Sequence, residues 1–473
     1  MISRRYVIVV AAMSLPFVLG VSLPRCDLNQ ADFVRISENG FDAADNEIDW
    51  NDYPNSIQYF VPDGEQKGYL YVGTGNGINE LMASALGLLG EDSGERPPEI
   101  RRYRPDQSRT TWEKVFDYRD FEDGPDFTST AFRNMSQYRS KSDGVNRLYA
   151  STFGAVPTMW RTPTGEPGSW EAFYSTDERG SIRWMTEHQG LLYIAIANDI
   201  TADGSILETP GRILATDGDT VWPVMEDGFG NAANGAIESL ISYNGWLWAG
   251  TANNESGFEI WKLAGPNGEG PVKVVANGGT NRFNSAAVTP YEFKGDLYWG
   301  SLVFMGIYVK GCVLLRIKPD DSWETIVGPG GLSGYSEGFN NDHNAYLWSL
   351  GEHDGWLYAG TTDFRSVQQA ALDTIRQFRP APIRRIIDAG GDDSDNADLG
   401  SGIVGALTQG GGDLWKSQDG VHWTPVFKNG LGNSYNFGVR QILSLNGKLY
   451  LGLANPWQGF EMWRGSKDAA DQQ

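Results

Sequence analysis

Short apolar runs, each introduced by a turn residue and closed by small or polar ones, recur along this chain in closely similar form. Gly68-Tyr69-Leu70-Tyr71-Val72-Gly73-Thr74 returns as Gly190-Leu191-Leu192-Tyr193-Ile194-Ala195-Ile196 and as Gly245-Trp246-Leu247-Trp248-Ala249-Gly250-Thr251. It returns again as Gly295-Asp296-Leu297-Tyr298-Trp299-Gly300-Ser301, Gly355-Trp356-Leu357-Tyr358-Ala359-Gly360-Thr361 and Gly447-Lys448-Leu449-Tyr450-Leu451-Gly452-Leu453. With Asn146-Arg147-Leu148-Tyr149-Ala150-Ser151-Thr152, which lacks the leading glycine, the copies number seven. The runs are too short for helices, and their apolar character on both faces predicts strands covered on both sides. Asn244-Gly245 and Asn446-Gly447 read as hairpin turns with both central residues at positive φ. A strand such as Ile237 to Tyr243 precedes each copy, and an aromatic strand such as Ile260-Trp261-Lys262 or Leu414-Trp415-Lys416 follows. The expected unit is therefore a four-stranded antiparallel meander.

Seven such sheets bury both faces only by packing on one another, and radial packing does this with short edges. The expected fold is all-β, a seven-bladed β-propeller of four-stranded antiparallel blades. A solenoid of meanders is the other arrangement, and it needs polar caps at both ends. The phrase Val224-Met225-Glu226-Asp227-Gly228-Phe229-Gly230 recurs at Val426 to Gly432 and, before the first copy, at Val34 to Phe41. The last copy ends after a third strand, Phe460 to Arg464, so residues 32 to 37 are expected to supply the missing fourth strand and close the ring.

Composition agrees with this reading. The 473 residues include 59 Gly and 58 aromatics, with no Ala-Leu-Glu-Lys-rich stretch to suggest long helices. The 12 Lys and 26 Arg against 60 acidic residues give a net charge of −22, which excludes a general nucleic-acid binder because phosphate neutralisation needs a basic face. Two cysteines, Cys26 and Cys312, exclude a disulfide framework, and no Cys/His spacing suits zinc.

The start, Met1-Ile2-Ser3-Arg4-Arg5-Tyr6, followed by an apolar stretch from Val7 to Leu23 broken by Pro16 and Gly20, reads as an export signal over residues 1–25. The ordinary and twin-arginine routes are both open. Arg25 argues against Cys26 as a lipid-attachment site. Residues 26–473 then form one propeller domain, expected in the periplasm, outside the cell or on its surface, with no transmembrane helix beyond the leader.

The turn Lys416-Ser417-Gln418-Asp419-Gly420-Val421-His422-Trp423 resembles the Asp-box hairpin of sialidase-like propellers, one residue shorter, with Asp106, Asp217 and Asp320 marking degenerate forms. More broadly, the Leu-Tyr-x-Gly-Thr repeat resembles bacterial exported propellers with Asp-box-like repeats, whose roles are mostly unassigned. The resemblance implies architecture; an Asp-box stabilises a rim turn and carries no activity across.

Long insertions at about residues 75 to 97, 198 to 210 and 364 to 411 are expected on one face, which makes it the functional side. The 364–411 insertion opens with a helix-like run, Val367 to Ile375, and reads as a partly helical lid on blade six. Its acidic end, Asp392, Asp393, Asp395 and Asp398, lacks EF-hand spacing; calcium is the one ion it suggests, and no other cofactor is expected. Ten residues before each repeat's central aromatic stand Arg183, Glu238, Val288, Trp348 and Arg440, with Gln58 and Arg133 matched by pattern. Charges inside a buried strand need partners, so these arginines either knit neighbouring blades, for instance through Glu238, or line an axial funnel and bind an anion. Nearby, His343 and Tyr346 are candidate proton-transfer groups. His188, His353 and His422 fall at turns or on the rim and are expected in solvent.

Three functions follow. The first is recognition of an extracytoplasmic ligand, an anionic carbohydrate, through Arg133, Arg183, Glu238 and Arg440. The second is an enzyme at the same site, a polysaccharide lyase or glycoside hydrolase. The third is a protein-binding scaffold.

Overall fold

A computed structural model describes residues 27–37, 39–41, 51–76, 97–107, 111–121, 129–176, 180–198, 209–303, 310–370 and 410–467. Residues 1–25, expected as an export signal, most of the three long insertions and Asp392, Asp393, Asp395 and Asp398 lie outside the described residues. The chain is all-β: the described residues hold 28 strands, numbered β1 to β28 in chain order, with few and short helices. Residues 365–370 are helical. No helix among the described residues is long and apolar enough to cross a membrane.

The strands pair antiparallel in consecutive fours. The first strands of these meanders are β2 (Tyr53–Phe60), β6 (Ser129–Arg139), β10 (Gly180–His188), β14 (Ala236–Tyr243), β18 (Ala286–Phe293), β22 (Leu347–His353) and β26 (Gly438–Leu445). Each pairs along its length with the repeat strand that follows, as in Ile241 opposite Trp248. The hairpins between them turn as their sequence dictates, with Asn244 at φ 49°, Gly245 at 77°, Asn446 at 52° and Gly447 at 72°. Each first strand lies against those of the meanders before and after it, and β26 lies against β2. At the chain's start, β1 (Phe33–Arg35) pairs with β28 (Glu461–Gly465), Phe33 opposite Gly465. Leu28 and Phe33 are buried among Leu414, Phe427 and Leu449, so the N-terminal segment shares the core of the last two meanders.

Packing between meanders uses the repeat's own aromatics. Tyr71, Tyr149, Tyr298, Tyr358 and Tyr450 are fully buried. The Tyr298 hydroxyl, on β19 (Asp296–Leu302), occupies the space a Cβ would take at Gly420, in the turn between β24 (Leu414–Ser417) and β25 (Thr424–Phe427) of the next meander. Tyr71 meets Gly165 of its neighbour in the same way. Gly420, at φ 76°, is thus required by backbone conformation and by contact. The turn closes on Asp419, whose Oδ1 accepts from the backbone of Val421 and His422, both at 2.8 Å.

Two histidines differ from expectation. His188 and His353 are buried rather than solvated, because each ends a first strand and reaches the next one. His188 Nδ1 lies 2.8 Å from Ser242 Oγ, with Nε2 2.9 Å from the Ala264 carbonyl; His353 Nδ1 lies 2.9 Å from Ser444 Oγ. His422 is exposed beside Asp419.

A buried amide clamp secures the connections on the other face. Asn234 Nδ2 donates to the Gly228 carbonyl at 2.9 Å and to Glu259 at 2.8 Å. Asn51 repeats this with Gly40 and Glu99, Asn344 with Gly338 and Asp413, and Asn436 with Gly430 and Glu461. Each clamp ties the end of one meander to the third strand of the next. Asp413 is the outlier: burial raises its carboxyl to about 6, the Asn344 hydrogen bond opposing and the Asp363 charge adding.

Gly420→Ala is expected to lower stability by about 1–3 kcal/mol through overpacking and a left-handed backbone, read by denaturant unfolding; an unchanged midpoint would refute the Tyr298 contact. Because Asp413 holds a proton in the folded state that the unfolded chain releases, its contribution to stability falls as pH rises from about 4 to 6. Asp413→Asn should therefore raise the unfolding midpoint at pH 8 and change it little at pH 4.

Candidate functional site

Every first strand carries a β-bulge at one equivalent position, where one residue drops out of the pairing register; β6 has a second, earlier one at Thr130. The residues at the equivalent position are Asn55, Arg133, Arg183, Glu238, Val288, Trp348 and Arg440. A bulge adds a residue to one strand only and re-aims its side chain away from the ladder, so one position in each meander is turned out of its own sheet. Six of these seven positions match the sequence reading. The seventh does not: Gln58, matched by pattern because the first hairpin is longer, stays in register opposite Tyr71, and Asn55 takes the bulge.

The charged bulge residues meet one another. Arg183 Nε lies 2.6 Å from Glu238 Oε2, and Arg183 Nη2 donates to the Tyr346 hydroxyl at 3.0 Å. Arg440 Nε donates to Asn55 Oδ1 at 3.0 Å, and its guanidinium lies 4.9 Å from the Trp348 ring centroid. Arg133 lies 4.9 Å from the Phe153 ring, and its Nε is buried with no hydrogen-bond partner. Arg183 and Arg440 are each 9% exposed. The cluster thus gathers three guanidiniums around one carboxylate.

The electrostatics divide the arginines into two kinds. Burial works against the charge of Arg183, but Glu238 and Tyr346 hold it above its ordinary value. Burial, then the like charges of Arg183 and Arg440, press Arg133 down to about 9. Burial likewise presses Arg440 down to about 10, with Tyr346 opposing and Arg183 adding. A guanidinium keeps its proton in proteins, so these depressions reflect first the cost of burying the charge and then the like charges beside it.

Beside the cluster is a cavity of about 100 Å³, lined by Arg133 and Arg440 together with Ser56, Thr289, Trp348 and Gln441, and by Ile57, Met135, Leu350 and Ile442. Arg183 and Glu238 are not among its walls. Sequence reasoning named Tyr346 and Trp348 but missed the rest of the aromatic wall next to it, Tyr53, Phe437 and Trp457. Tyr346 and Trp348 lie 5.3 Å apart, Trp348 and Phe437 5.3 Å, and Phe437 and Trp457 5.9 Å, with Tyr53 5.8 Å from Trp348. Tyr346, Trp348 and Trp457 are half-buried. The sequence signal was an aromatic at or just before the start of a first strand, as in Tyr53, Tyr346 and Phe437. His343 stands apart from the cavity, with Asp363, Arg365 and Asp342 as its charged neighbours; burial lowers its pKa. Among the described residues no group of three or more His, Cys, Asp or Glu is placed to hold a metal ion.

The fold and site describe an all-β protein of antiparallel meanders with a buried arginine cluster. No protein-family model matches the chain, and no curated protein does. Among solved structures, an ancestral GH74 enzyme is 11% identical over 89% of this chain and 48% of its own, with a TM-score of 0.49. A structure from a study of two prolyl endopeptidases is 10% identical over 89% of this chain and 52% of its own, with a TM-score of 0.42. The chain therefore spans about half the length of each.

Glu238→Gln removes the cluster's single carboxylate charge and is expected to cost about 3 kcal/mol, as breaking one side of a buried pair does. Chemical denaturation checks it, and a loss below experimental error would show that Arg183 does not depend on Glu238.

Proposed function

We propose that this chain is an exported seven-bladed β-propeller, closed by its N-terminal strand, that recognises an extracytoplasmic anionic carbohydrate at the arginine cluster. The pairing of β1 with β28 and the contact of β26 with β2 support the closed ring. The basic and apolar start, Arg4-Arg5 followed by Val7 to Leu23, supports export.

One observation carries the ligand reading: two buried arginines and a half-buried one gather near a single carboxylate that pairs with only one of them, beside half-buried aromatic rings. Arginine in such surroundings pairs with planar or tetrahedral anions through paired N–H groups. Aromatic faces with a few fixed polar groups are the usual lining of ligand sites. The cavity measures about 100 Å³ and is not closed off from solvent. The acidic substituent enters and the ring rests against Tyr346, Trp348 and Trp457.

Arg133→Ala and Arg440→Ala should each weaken binding to an acidic-glycan panel by about tenfold or more, equivalent to at least 1.4 kcal/mol, with circular dichroism unchanged. Undiminished binding in both folded variants would defeat this reading. Release of unsaturated or newly reducing ends from the same glycans would instead identify an enzyme.

A further inference from the structure

The cluster's unsatisfied groups specify more than a negative charge. Arg183 is already partnered by Glu238 and Tyr346 and does not line the cavity. Arg133 and Arg440 do line it, from β6 and β26 on either side of β2, and no carboxylate stands among the lining residues. Three buried groups at this end of β2 and β6 lack a hydrogen-bond partner: Arg133 Nε, Asn55 Nδ2 and the Ser56 hydroxyl. All three can donate, and Ser56 and Arg133 are themselves cavity walls. Buried donors without acceptors are rare in folded proteins and call for an occupant.

Building on the anionic-ligand reading above, we propose that the cavity is a site for one compact tetrahedral oxyanion, a sulfate or phosphate group, free or ester-linked, held directly by Arg133 and Arg440. Shape favours this class. A carboxylate offers two coplanar oxygens and is saturated by a single guanidinium fork. Here the donors arrive from three strands, β2, β6 and β26, so oxygens pointing in several directions are needed. Charge favours it too, since three arginines and one glutamate leave an excess of two positive charges. Size permits it, because a cavity of about 100 Å³ admits a sulfate or phosphate group.

The test uses the purified mature chain in calorimetric titration and thermal unfolding. The probes are sodium sulfate and sodium phosphate, glucose 6-sulfate and glucose 6-phosphate, and sodium glucuronate, each against sodium chloride at equal ionic strength. Sulfate or phosphate should raise the unfolding midpoint with saturation at low-millimolar concentration, unlike the unsaturable rise that excluded salts give at high concentration. Arg133→Met removes a like charge from the cluster; it should raise the unliganded midpoint and abolish the saturable response. Arg440→Lys, which keeps the charge but loses the fork, should weaken binding about tenfold (1.4 kcal/mol) or more. Tighter binding of the sugar esters than of the free ions identifies the ester-linked source, and the reverse identifies the free ion. Saturable binding of glucuronate or acidic glycans without sulfate or phosphate binding would overturn the oxyanion assignment and leave the broader reading standing. Sulfate or phosphate binding that survives Arg133→Met would overturn the assigned residues. No saturable binding of any anion would overturn both.

Discussion

The one-residue bulge near the start of every first strand is the constraint on which the rest of this molecule depends. In a regular antiparallel strand alternate side chains point to opposite faces, and in a sheet covered on both sides each would meet an apolar neighbour. The bulge frees one residue per meander from that alternation, and only at those positions does the protein carry buried arginine within its first strands. Asn55, Arg133, Arg183, Glu238 and Arg440 share a region because the bulges fall at the same height. Val288 and Trp348, at the same position, supply apolar surface instead. The chemistry of the cluster is therefore decided by the identity of seven residues, while their placement is decided by backbone geometry.

Around that centre the meanders are joined by two kinds of contact with different energetics. The tyrosine-to-glycine contacts of Tyr71 with Gly165 and Tyr298 with Gly420 are packing, and their specificity comes from excluded volume. The amide clamps of Asn51, Asn234, Asn344 and Asn436 are buried polar groups whose partners must all be present, because an orphaned carboxamide or carboxylate costs more than the bond gains. In the fifth meander, where Val313 stands in place of the acid, Asn284 Nδ2 still donates to the Gly278 carbonyl and gives its other hydrogen bond to Thr280 Oγ1 at 2.9 Å. The clamp tolerates loss of its acid where another acceptor takes the second N–H, which keeps the buried carboxamide satisfied.

Much of this was legible in the sequence because the repeat is stated seven times and each statement is local. The strands, the hairpin turns at Asn244-Gly245 and Asn446-Gly447, and the pairing partner of residues 33–35 follow from short-range pattern. What escaped was set by register between strands. Gln58 was matched in place of Asn55 because the longer first hairpin left only local pattern to go by, and a bulge cannot be seen in one strand alone. His188 and His353 look like turn residues in sequence and are buried only because the next meander covers them. The clamps were half visible: the recurring phrase ending in Gly228-Phe229-Gly230 was plain, but the Asn a few residues on and the distant Glu259 acquire meaning only once brought together.

The contrast between a net charge of −22 and a cluster with excess positive charge bears on what could reach it. At physiological salt the field of the surface carboxylates fades over about 8 Å, so the protein's overall charge weakly opposes approach and hardly affects an anion already among the bulge residues. Inside, where water is largely excluded, the guanidiniums of Arg133 and Arg440 act over short distance and with little screening. A long polyanion would meet the acidic exterior along most of its length and gain from the arginines at one point only. A small anion, or a single acidic group on a mostly neutral ligand, avoids most of the first effect and retains the second. If the cluster binds an anion as proposed, the acidic surface would act as a filter on charge density and the arginines as the receptor for what passes it.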